Sequence, residues 1–401
     1  MTRRILLADA DAFYVSVARL VDPEGAGRAE LLIVGGSIEG RGVVTSASYA
    51  ARKFGVTSAM PTARALRLCP QATVVPVPWQ ACMEKSHQIR EVLERWSPVV
   101  EAASQDEAYL DMSGTERLYK DESLEGTARR IRLDVLAETK ISVSIGGGTS
   151  RLVAKMAAGV AKPGGVHVVP EGIEGEFMRR FQLSDIPFVG ARFSQRLERY
   201  NLKSVDDALA AGPDRLRDWL GEREGVWLWE RCQGIDRTVI EGRGDAKSIS
   251  RDETFAQDID DDDQLKAELI RMVDRAAGDL RDDGYLARTV TVRLRDFDFT
   301  DRQASKTVEP AISSDRAILR VARELLSRLR SARRVPARLL GVGLSGLMRQ
   351  EEPEQLSLID APSAAGESDQ DRAVARVVDT LRDKLGDEAI ALGRKPTRRR
   401  R

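Results

Sequence analysis

Two stretches of the sequence place carboxylate side chains at the end of an apolar run that is typical of a buried strand. One strand leads into Asp9 and Asp11, and Asp106 and Glu107 introduce the other. An unpaired charge beside a protein core is costly, so carboxylates in this position need a partner. If the two strands are neighbours, the four side chains meet at one edge of a sheet. Hard oxygen ligands of this kind suit Mg²⁺ or Mn²⁺.

The composition argues against several other kinds of site. Lys and Arg total 63, as do Asp and Glu, so the net charge does not indicate a partner. The two histidines, His87 and His167, are too few for a His-based triad or a zinc site. Cys69, Cys82 and Cys232 lack pairing or metal-ligand spacing, which is typical of reduced thiols in a cytosolic protein. We expect a cytoplasmic protein, because no apolar run reaches membrane-spanning length and no signal peptide is evident.

The elements that must position the carboxylates belong to an α+β multidomain chain. Residues 1–170 mix short strands and helices, which predicts helices packed on a small mixed or antiparallel sheet. Strand patterns are missing from 171–242, so this segment predicts a helical domain. Residues 243–348 show a βαββαβ pattern, in which one sheet carries two helices. The polar residues 349–401 predict a flexible tail.

One strand of the βαββαβ segment has a polar face that could hold phosphates. Alternation places Val290, Val292 and Leu294 toward the helices. The opposite face carries hydroxyls and guanidiniums, which bind phosphates with little sequence preference. A solvated strand face is the alternative. The candidate DNA contacts are Thr289, Thr291, Arg293, Arg295, Lys247 and Ser248.

The tail contains one apolar peptide in an otherwise polar setting. This peptide is either a chance pattern or a ligand for another protein. Its candidate contact residues are Gln355, Leu356, Leu358 and Ile359. The basic run at the chain end has two interpretations, a solvated run of charges and a nucleic-acid-binding site, and we prefer the first.

Four motifs together resemble the Y-family translesion DNA polymerases, most closely the bacterial DNA polymerase IV type. They are Asp9–Tyr14, Ala47–Val56, Ser104–Asp111 and Ala161–Gly165, in family order and at family spacing. The resemblance extends from residue 4 to about residue 359. It implies a palm with small fingers (fingers about 20–78), a helical thumb (171–242), a little finger (243–348) and a tail with a clamp-binding peptide.

The resemblance implies two-metal nucleotidyl transfer from a deoxynucleoside triphosphate to a primer 3′-hydroxyl. Asp9 and Asp106 are then the shared ligands of two Mg²⁺ ions, with Mn²⁺ as a substitute. Glu107 serves the primer-side metal, and the carbonyl of Ala10 serves the nucleotide-side metal. For Asp11 a helix-start cap is preferred over a ligand role.

The family motifs also imply a set of nucleotide contacts. Tyr49 and Arg52 lie three apart on a helix and can face one ligand. Arg52 can grip phosphate bidentately, and Lys162 adds a point charge. Tyr14 resembles the steric gate that excludes a 2′-hydroxyl. The full set is Phe13 and Tyr14 (which also act through their main-chain amides), Ser46, Tyr49, Arg52 and Lys162.

The implied partners are primer–template DNA, deoxynucleoside triphosphates and a sliding clamp, bound by a monomer. The short fingers and the lack of a second carboxylate cluster predict error-prone translesion synthesis without proofreading. Gln105 departs from the family, in which an aliphatic residue is usual. Two alternatives stay open: a catalytically inactive DNA- and clamp-binding scaffold, and another palm-type enzyme such as a nucleotide cyclase.

Overall fold

A computed structural model describes residues 3–120, 122–242, 244–349, 367–386 and 390. The described chain divides into two compact units. The first contains the residues up to Ile38 and Gly42–Gly244, and the second contains Glu39–Arg41 and the residues from Asp245 onward. Across the described residues, no helix is long and apolar enough to cross a bilayer.

The first unit alternates short strands with helices. Its elements are β1 (Ile5–Ala10), α1 (Phe13–Val21), β2 (Leu32–Gly35), β3 (Val44–Ala47), α2 (Tyr49–Arg52), α3 (Thr62–Leu68), β4 (Thr73–Val75), α4 (Trp79–Glu94), β5 (Val99–Ala102), β6 (Glu107–Asp111), α5 (Leu124–Thr139), β7 (Val143–Gly148), α6 (Arg151–Ala161), β8 (Val166–Val168), α7 (Glu174–Met178), α8 (Ala191–Glu198), α9 (Val205–Leu220) and α10 (Glu222–Cys232).

A five-stranded sheet in the order β5-β6-β1-β7-β8 forms the centre of this unit. Strand β1 is antiparallel to both neighbours, and β7 and β8 are parallel. Every residue of β1 is buried because both faces of the sheet are covered. Ile5 and Leu7 pack toward α6, whereas Leu6 and Ala8 pack with residues of α4 and α5. This two-sided core holds the acidic end of β1 in place.

The glycine run after Ile145 lies inside strand β7. That strand runs from Val143 to Gly148. A Cβ on Gly146 would lie 2.0 Å from the backbone nitrogen of Ala158. The missing side chain therefore lets helix α6 pack directly on the strand.

Two smaller assemblies complete the first unit. Strands β3, β2 and β4 form a second sheet, in that order. Helices α7 to α10 follow the last strand and share an apolar cluster that includes Leu197, Leu216 and Leu228. At the turn before α8, the backbone has φ −81° at Gly190 and φ 72° at Phe188, whose side chain is 91% exposed.

The second unit has the predicted βαββαβ order, followed by one more helix. Its elements are β9 (Ser248–Ile259), α11 (Asp262–Asp282), β10 (Tyr285–Asp296), β11 (Asp301–Ile312), α12 (Asp315–Ala332), β12 (Ala337–Arg349) and α13 (Asp369–Leu385). The four strands are antiparallel in the order β11-β10-β12-β9. Helices α11 and α12 bury their apolar faces against one side of the sheet.

Helix α13 lies within the stretch that the sequence predicted to be a tail. Ion pairs hold it to the second unit: Arg281 Nε contacts Asp379 Oδ2 at 2.6 Å, and Arg382 binds Asp274 at 2.8 Å. The clamp-binding-like residues Gln355, Leu356, Leu358 and Ile359 lie outside the described residues.

Candidate active site

The two acidic stretches meet as neighbouring strands. In the β1–β6 register Asp9 lies opposite Glu107. The N–H of Ala10 donates to the carbonyl oxygen of Asp106 at 2.9 Å. These main-chain pairings bring Asp9, Asp106 and Glu107 to one edge of the sheet, as the sequence predicted. The fold thus brings three carboxylates together at the end of β1.

Lysine ammonium groups lie on two of the three carboxylates. Lys162 Nζ donates to Asp9 Oδ1 at 2.5 Å, and Lys155 Nζ donates to Glu107 Oε1. Asp9 is only 6% exposed. Burial raises the pKa of Asp9 to about 6, although the Lys162 charge acts in the opposite direction. A cation therefore has a large effect on the charge state of this edge.

Asp106 projects from a short turn between β5 and β6. The N–H groups of Ala103 and Ser104 donate to the carbonyl of Glu107 at 2.9 and 3.2 Å. Ser104 Oγ donates to Asp106 Oδ1 at 2.6 Å. The carboxylate of Asp106 has no lysine contact of this kind in the described structure. Of the three acidic groups, Asp106 is thus the one that is not paired with a lysine within the described residues.

The donor set fits a pair of divalent ions. Carboxylate oxygens and a main-chain carbonyl are hard ligands that Mg²⁺ prefers. Within the residues that the structure describes, no three acidic, His or Cys side chains already converge as a metal cage. The lysines neutralise two carboxylates instead. A metal ion at this edge would share Asp9 with Lys162 and Glu107 with Lys155, or would replace those lysines.

Asp11 is a structural hub, and its predicted role as a helix cap is wrong. Helix α1 starts after Ala12 without a side-chain cap. Asp11 is 5% exposed, and its carboxylate accepts hydrogen bonds from Ser142 Oγ and Ser144 Oγ, both at 2.7 Å, and from the Gly164 N–H at 2.9 Å. These bonds tie the end of β1 to β7 and to the loop after α6. The loop includes Lys162, so Asp11 helps to position that cation.

The residues of the predicted triphosphate site lie beside Asp11. Tyr49 OH lies 3.4 Å from Asp11 Oδ1, and burial, followed by that neighbouring charge, raises the pKa of Tyr49 to about 12. Arg52 Nε donates to the carbonyl of Ala47 at 2.9 Å, and its guanidinium lies 3.5 Å from Ser46 Oγ. The same guanidinium lies 5.1 Å from the centre of the Tyr49 ring. The short helix α2 therefore presents one phenol and one guanidinium together.

Tyr14 is held on three sides. Its ring meets Phe13 edge-on at 5.3 Å and Trp79 at 6.0 Å between ring centroids. Its hydroxyl donates to Gln105 Oε1 at 3.1 Å. Burial raises the pKa of Tyr14, with Asp106 adding to the effect. The Phe13 side chain itself is buried in the core, which leaves its main chain as the part that can meet a ligand.

Sequence reasoning missed Lys155 and Gln105. Lys155 lies in α6, and Lys162 directly follows the last residue of that helix, seven residues or about two helical turns later. That spacing was a usable signal. Gln105 had no such signal, because its partner Tyr14 is 91 residues away. Its departure from the family pattern was the one indication of a special role.

The candidate DNA face in the second unit has the predicted alternation, but its arginines are already paired. Val290, Val292 and Leu294 are fully buried. On the other face, Thr289 contacts Thr307 at 3.0 Å and Thr291 contacts Ser305 at 2.9 Å.

Asp301 binds both arginines of this face. It accepts from Arg295 Nε at 2.8 Å and from Arg293 at 3.1 Å. The bond from Arg295 is the main reason that the pKa of Asp301 lies well below its usual range. Lys247 is exposed just before β9, and Ser248 begins that strand opposite Ser345.

Family models match most of the chain. The impB/mucB/samB family matches residues 8–159, and the C-terminal domain of the same family matches residues 246–358. A model described as the thumb domain of DNA polymerase-iota matches residues 184–236.

Individual relatives match over nearly the full length. A DNA polymerase IV of Dehalococcoides mccartyi (strain CBDB1) is 35% identical over 392 residues, which cover 98% of this chain and 97% of that protein. A DNA polymerase IV of Halorhodospira halophila is 36% identical over 356 residues, covering 88% and 98%. Among solved structures, a Y-family DNA polymerase chimera of Dbh and Dpo4 gives a TM-score of 0.76 at 24% identity, covering 86% of this chain and 99% of that one. That last similarity shows the fold.

Fold and sequence matches together define a nucleotidyltransferase of the polymerase class. The chain belongs to the Y-family of DNA polymerases, within the DNA polymerase IV type. It is a DNA-directed DNA polymerase of the translesion class, and its α+β fold class is as the sequence predicted. Membership of this family carries a general dependence on divalent metal ions.

Proposed function

We propose that the sheet edge formed by Asp9, Asp106 and Glu107 is the catalytic centre of template-directed DNA synthesis. The carbonyl of Ala10 completes the set that would hold two Mg²⁺ ions. When bound, the two ions supply activation of the primer 3′-hydroxyl and neutralisation of the leaving pyrophosphate. The observation that carries the proposal is the register that sets Asp9 opposite Glu107, next to Asp106.

Two cationic residues are proposed to bind the triphosphate. Arg52 has a planar guanidinium that matches phosphate, and its contact with Ala47 orients it. Lys162 binds Asp9 in the structure, and it would be able to reach the triphosphate if a metal ion took its place. Tyr49 OH, Ser46 Oγ and the main-chain amides of Phe13 and Tyr14 are the proposed neutral contacts.

Tyr14 is proposed to be the steric gate against ribonucleotides. Its ring lies between α1 and the acidic turn, with its edges packed on Phe13 and Trp79. A ring in a fixed position under the sugar excludes a 2′-hydroxyl by contact. Selection of this kind depends on how little the ring moves.

Domain roles and partners follow from the same assignment. The palm and fingers are residues 1–170, the thumb 171–242 and the little finger 243–348. The polar face of β10 then meets the backbone of primer–template DNA, through Thr289, Thr291, Arg293 and Arg295, with Lys247 and Ser248 beside it. Residues 355–359 are proposed to dock on a sliding clamp, and the enzyme is proposed to act as a cytoplasmic monomer.

Single-nucleotide primer extension tests this function. The purified chain is mixed with a primed template, Mg²⁺ and one deoxynucleoside triphosphate at a time. We expect extension directed by the template base, with frequent misinsertion and no removal of a mismatched 3′ end. Incorporation that ignores the template, or none at all with Mg²⁺ and Mn²⁺, would refute the proposal.

A further inference from the structure

The side chain of Gln105 reaches from the acidic turn to the hydroxyl of Tyr14. Gln105 is exposed and lies between Ser104 and the metal-ligand candidate Asp106. Its Oε1 accepts the hydrogen bond from Tyr14 OH at 3.1 Å. This bond joins residues 91 positions apart, so it links the start of α1 to the turn before β6.

The backbone around Gln105 is fixed on both sides. The Ser104 N–H donates to the carbonyl of Glu107 at 3.2 Å, and the Asp106 carbonyl accepts from the Ala10 N–H at 2.9 Å. Ser104 Oγ also binds the Asp106 carboxylate at 2.6 Å. A side chain that projects from a turn held in this way offers an acceptor at a defined position.

The bond acts on the part of the Tyr14 ring that moves furthest. Phe13 and Trp79 contact the ring edge-on, but Trp79 is itself 56% exposed. Rotation about the first side-chain torsion displaces the hydroxyl oxygen more than it displaces any atom of the ring. A hydrogen bond at the hydroxyl therefore restrains this rotation effectively.

We propose that Gln105 is a positioning residue that holds the Tyr14 ring in place and so sharpens discrimination against ribonucleotides. The inference rests on the proposed gate function of Tyr14. Gln105 itself touches neither metal nor substrate in this account. Its chemistry is that of a neutral acceptor, which can hold the hydroxyl without adding charge beside Asp106.

The size of the effect follows from the strength of a single hydrogen bond. A net intramolecular hydrogen bond changes an equilibrium by about two- to tenfold. We therefore expect loss of the bond to reduce the preference for deoxyribonucleotides over ribonucleotides by about two- to tenfold. Complete removal of the ring should reduce the preference much further.

A double-mutant cycle tests the inference. Gln105→Met removes the acceptor at similar length, and Tyr14→Phe removes the donor while keeping the ring. The double variant combines them, and Tyr14→Ala serves as the reference without a gate. Gln88→Met is the matched control, because Gln88 makes its own surface bonds with Lys85 and Glu84. For each protein, kcat/KM is measured for a deoxynucleotide and for the corresponding ribonucleotide.

We expect Gln105→Met and Tyr14→Phe to reduce the preference by similar factors, and the double variant to show no further loss. Gln88→Met should match the unchanged protein. Wild-type selectivity in Gln105→Met, or a double variant that multiplies the single effects, would overturn the role of Gln105.

The Tyr14→Ala arm separates this failure from that of the proposed gate. If Tyr14→Ala loses selectivity and Gln105→Met does not, only the role of Gln105 fails. If Tyr14→Ala keeps full selectivity, the gate and the positioning role fail together. Deoxynucleotide incorporation by every variant reports that each has folded.

Discussion

At the scale of single residues, the proposed active site pairs two of its carboxylates with lysines. Lys162 binds Asp9 and Lys155 binds Glu107, so two of the three carboxylates are paired with a lysine. Unpaired, buried carboxylates would destabilise the fold.

The adjacent residues Arg52 and Lys53 allow a matched test of triphosphate binding. Arg52 is oriented by Ala47, whereas the Lys53 side chain is exposed. We expect Arg52→Ala to lower kcat/KM for a deoxynucleotide about 10- to 100-fold, mainly through KM, because a charged hydrogen-bonding group is lost. Lys53→Ala should change it less than about threefold. Steady-state extension kinetics measure both, and equal effects of the two variants would contradict the assignment.

The sequence could predict which residues carry charge at the site, but not how they are held. Asp9, Asp106 and Glu107 follow from carboxylates placed beside apolar strands. The bonds of Asp11 to Ser142 and Ser144 span more than 130 residues, and no local pattern encodes them. Local reasoning therefore assigned Asp11 to the nearest helix, whereas the folded chain uses it to join three segments.

At the scale of elements, the contact between β7 and α6 supports the helix that carries Lys155 and is followed by Lys162. A Cβ on Gly146 would lie 2.0 Å from the Ala158 nitrogen and 2.1 Å from the Ala154 oxygen, whereas a Cβ on Gly159 meets nothing within 4 Å. We expect Gly146→Ala to lower the free energy of unfolding of the first unit by at least about 2 kcal/mol. Gly159→Ala, which lies in helix α6, should raise this free energy of unfolding by up to about 1 kcal/mol.

Chemical denaturation measures both glycine variants. Unchanged stability of Gly146→Ala would show that α6 does not depend on this close approach. The strand pattern of the sequence could not reveal the approach, because a glycine run is also typical of a loop. Only the register of β7 on β1 distinguishes the two.

The proposed DNA face of the little finger carries a carboxylate that competes with phosphate. Asp301 neutralises both Arg293 and Arg295. We expect Asp301→Asn to raise affinity for primer–template DNA several-fold and to steepen its salt dependence by about one unit, because one more phosphate is neutralised. Fluorescence anisotropy at several salt concentrations measures both quantities.

Asp298→Asn is the control for net charge. Asp298 lies in the same hairpin turn but binds Arg333 at 2.7 Å. Both substitutions remove one negative charge. Equal gains in DNA affinity for the two variants would therefore show that net charge alone causes the effect. A gain confined to Asp301→Asn would support contact between β10 and the DNA backbone.

At the scale of the whole molecule, the order of strands and helices could be predicted from the sequence because it depends on local periodicity. The βαββαβ order of the second unit follows from alternation in its strands and from apolar faces in α11 and α12. The tail was harder to read, since α13 is tied to its unit by charged pairs such as Arg281 with Asp379. Charged residues are equally typical of a solvated tail, so the sequence did not predict that α13 packs on this unit.

The clamp peptide gives a prediction at this scale. We expect deletion of residues 355–359 to abolish stimulation by a sliding clamp while distributive synthesis without the clamp stays unchanged. Primer extension with and without the clamp separates the two activities. Equal loss of both would show that the segment serves the polymerase itself and not docking.

The central claim is that the Asp9, Asp106 and Glu107 edge performs the chemistry. Asp111 is a matched control for Asp106, because it lies at the other end of β6, where its carboxylate accepts from the Ser113 N–H at 2.9 Å. In single-turnover primer extension with Mg²⁺, the account predicts that Asp106→Asn loses about a hundredfold or more in rate while still binding primer–template DNA, and that Asp111→Asn keeps near-normal activity. Extension by Asp106→Asn at the rate of the unchanged protein would contradict it.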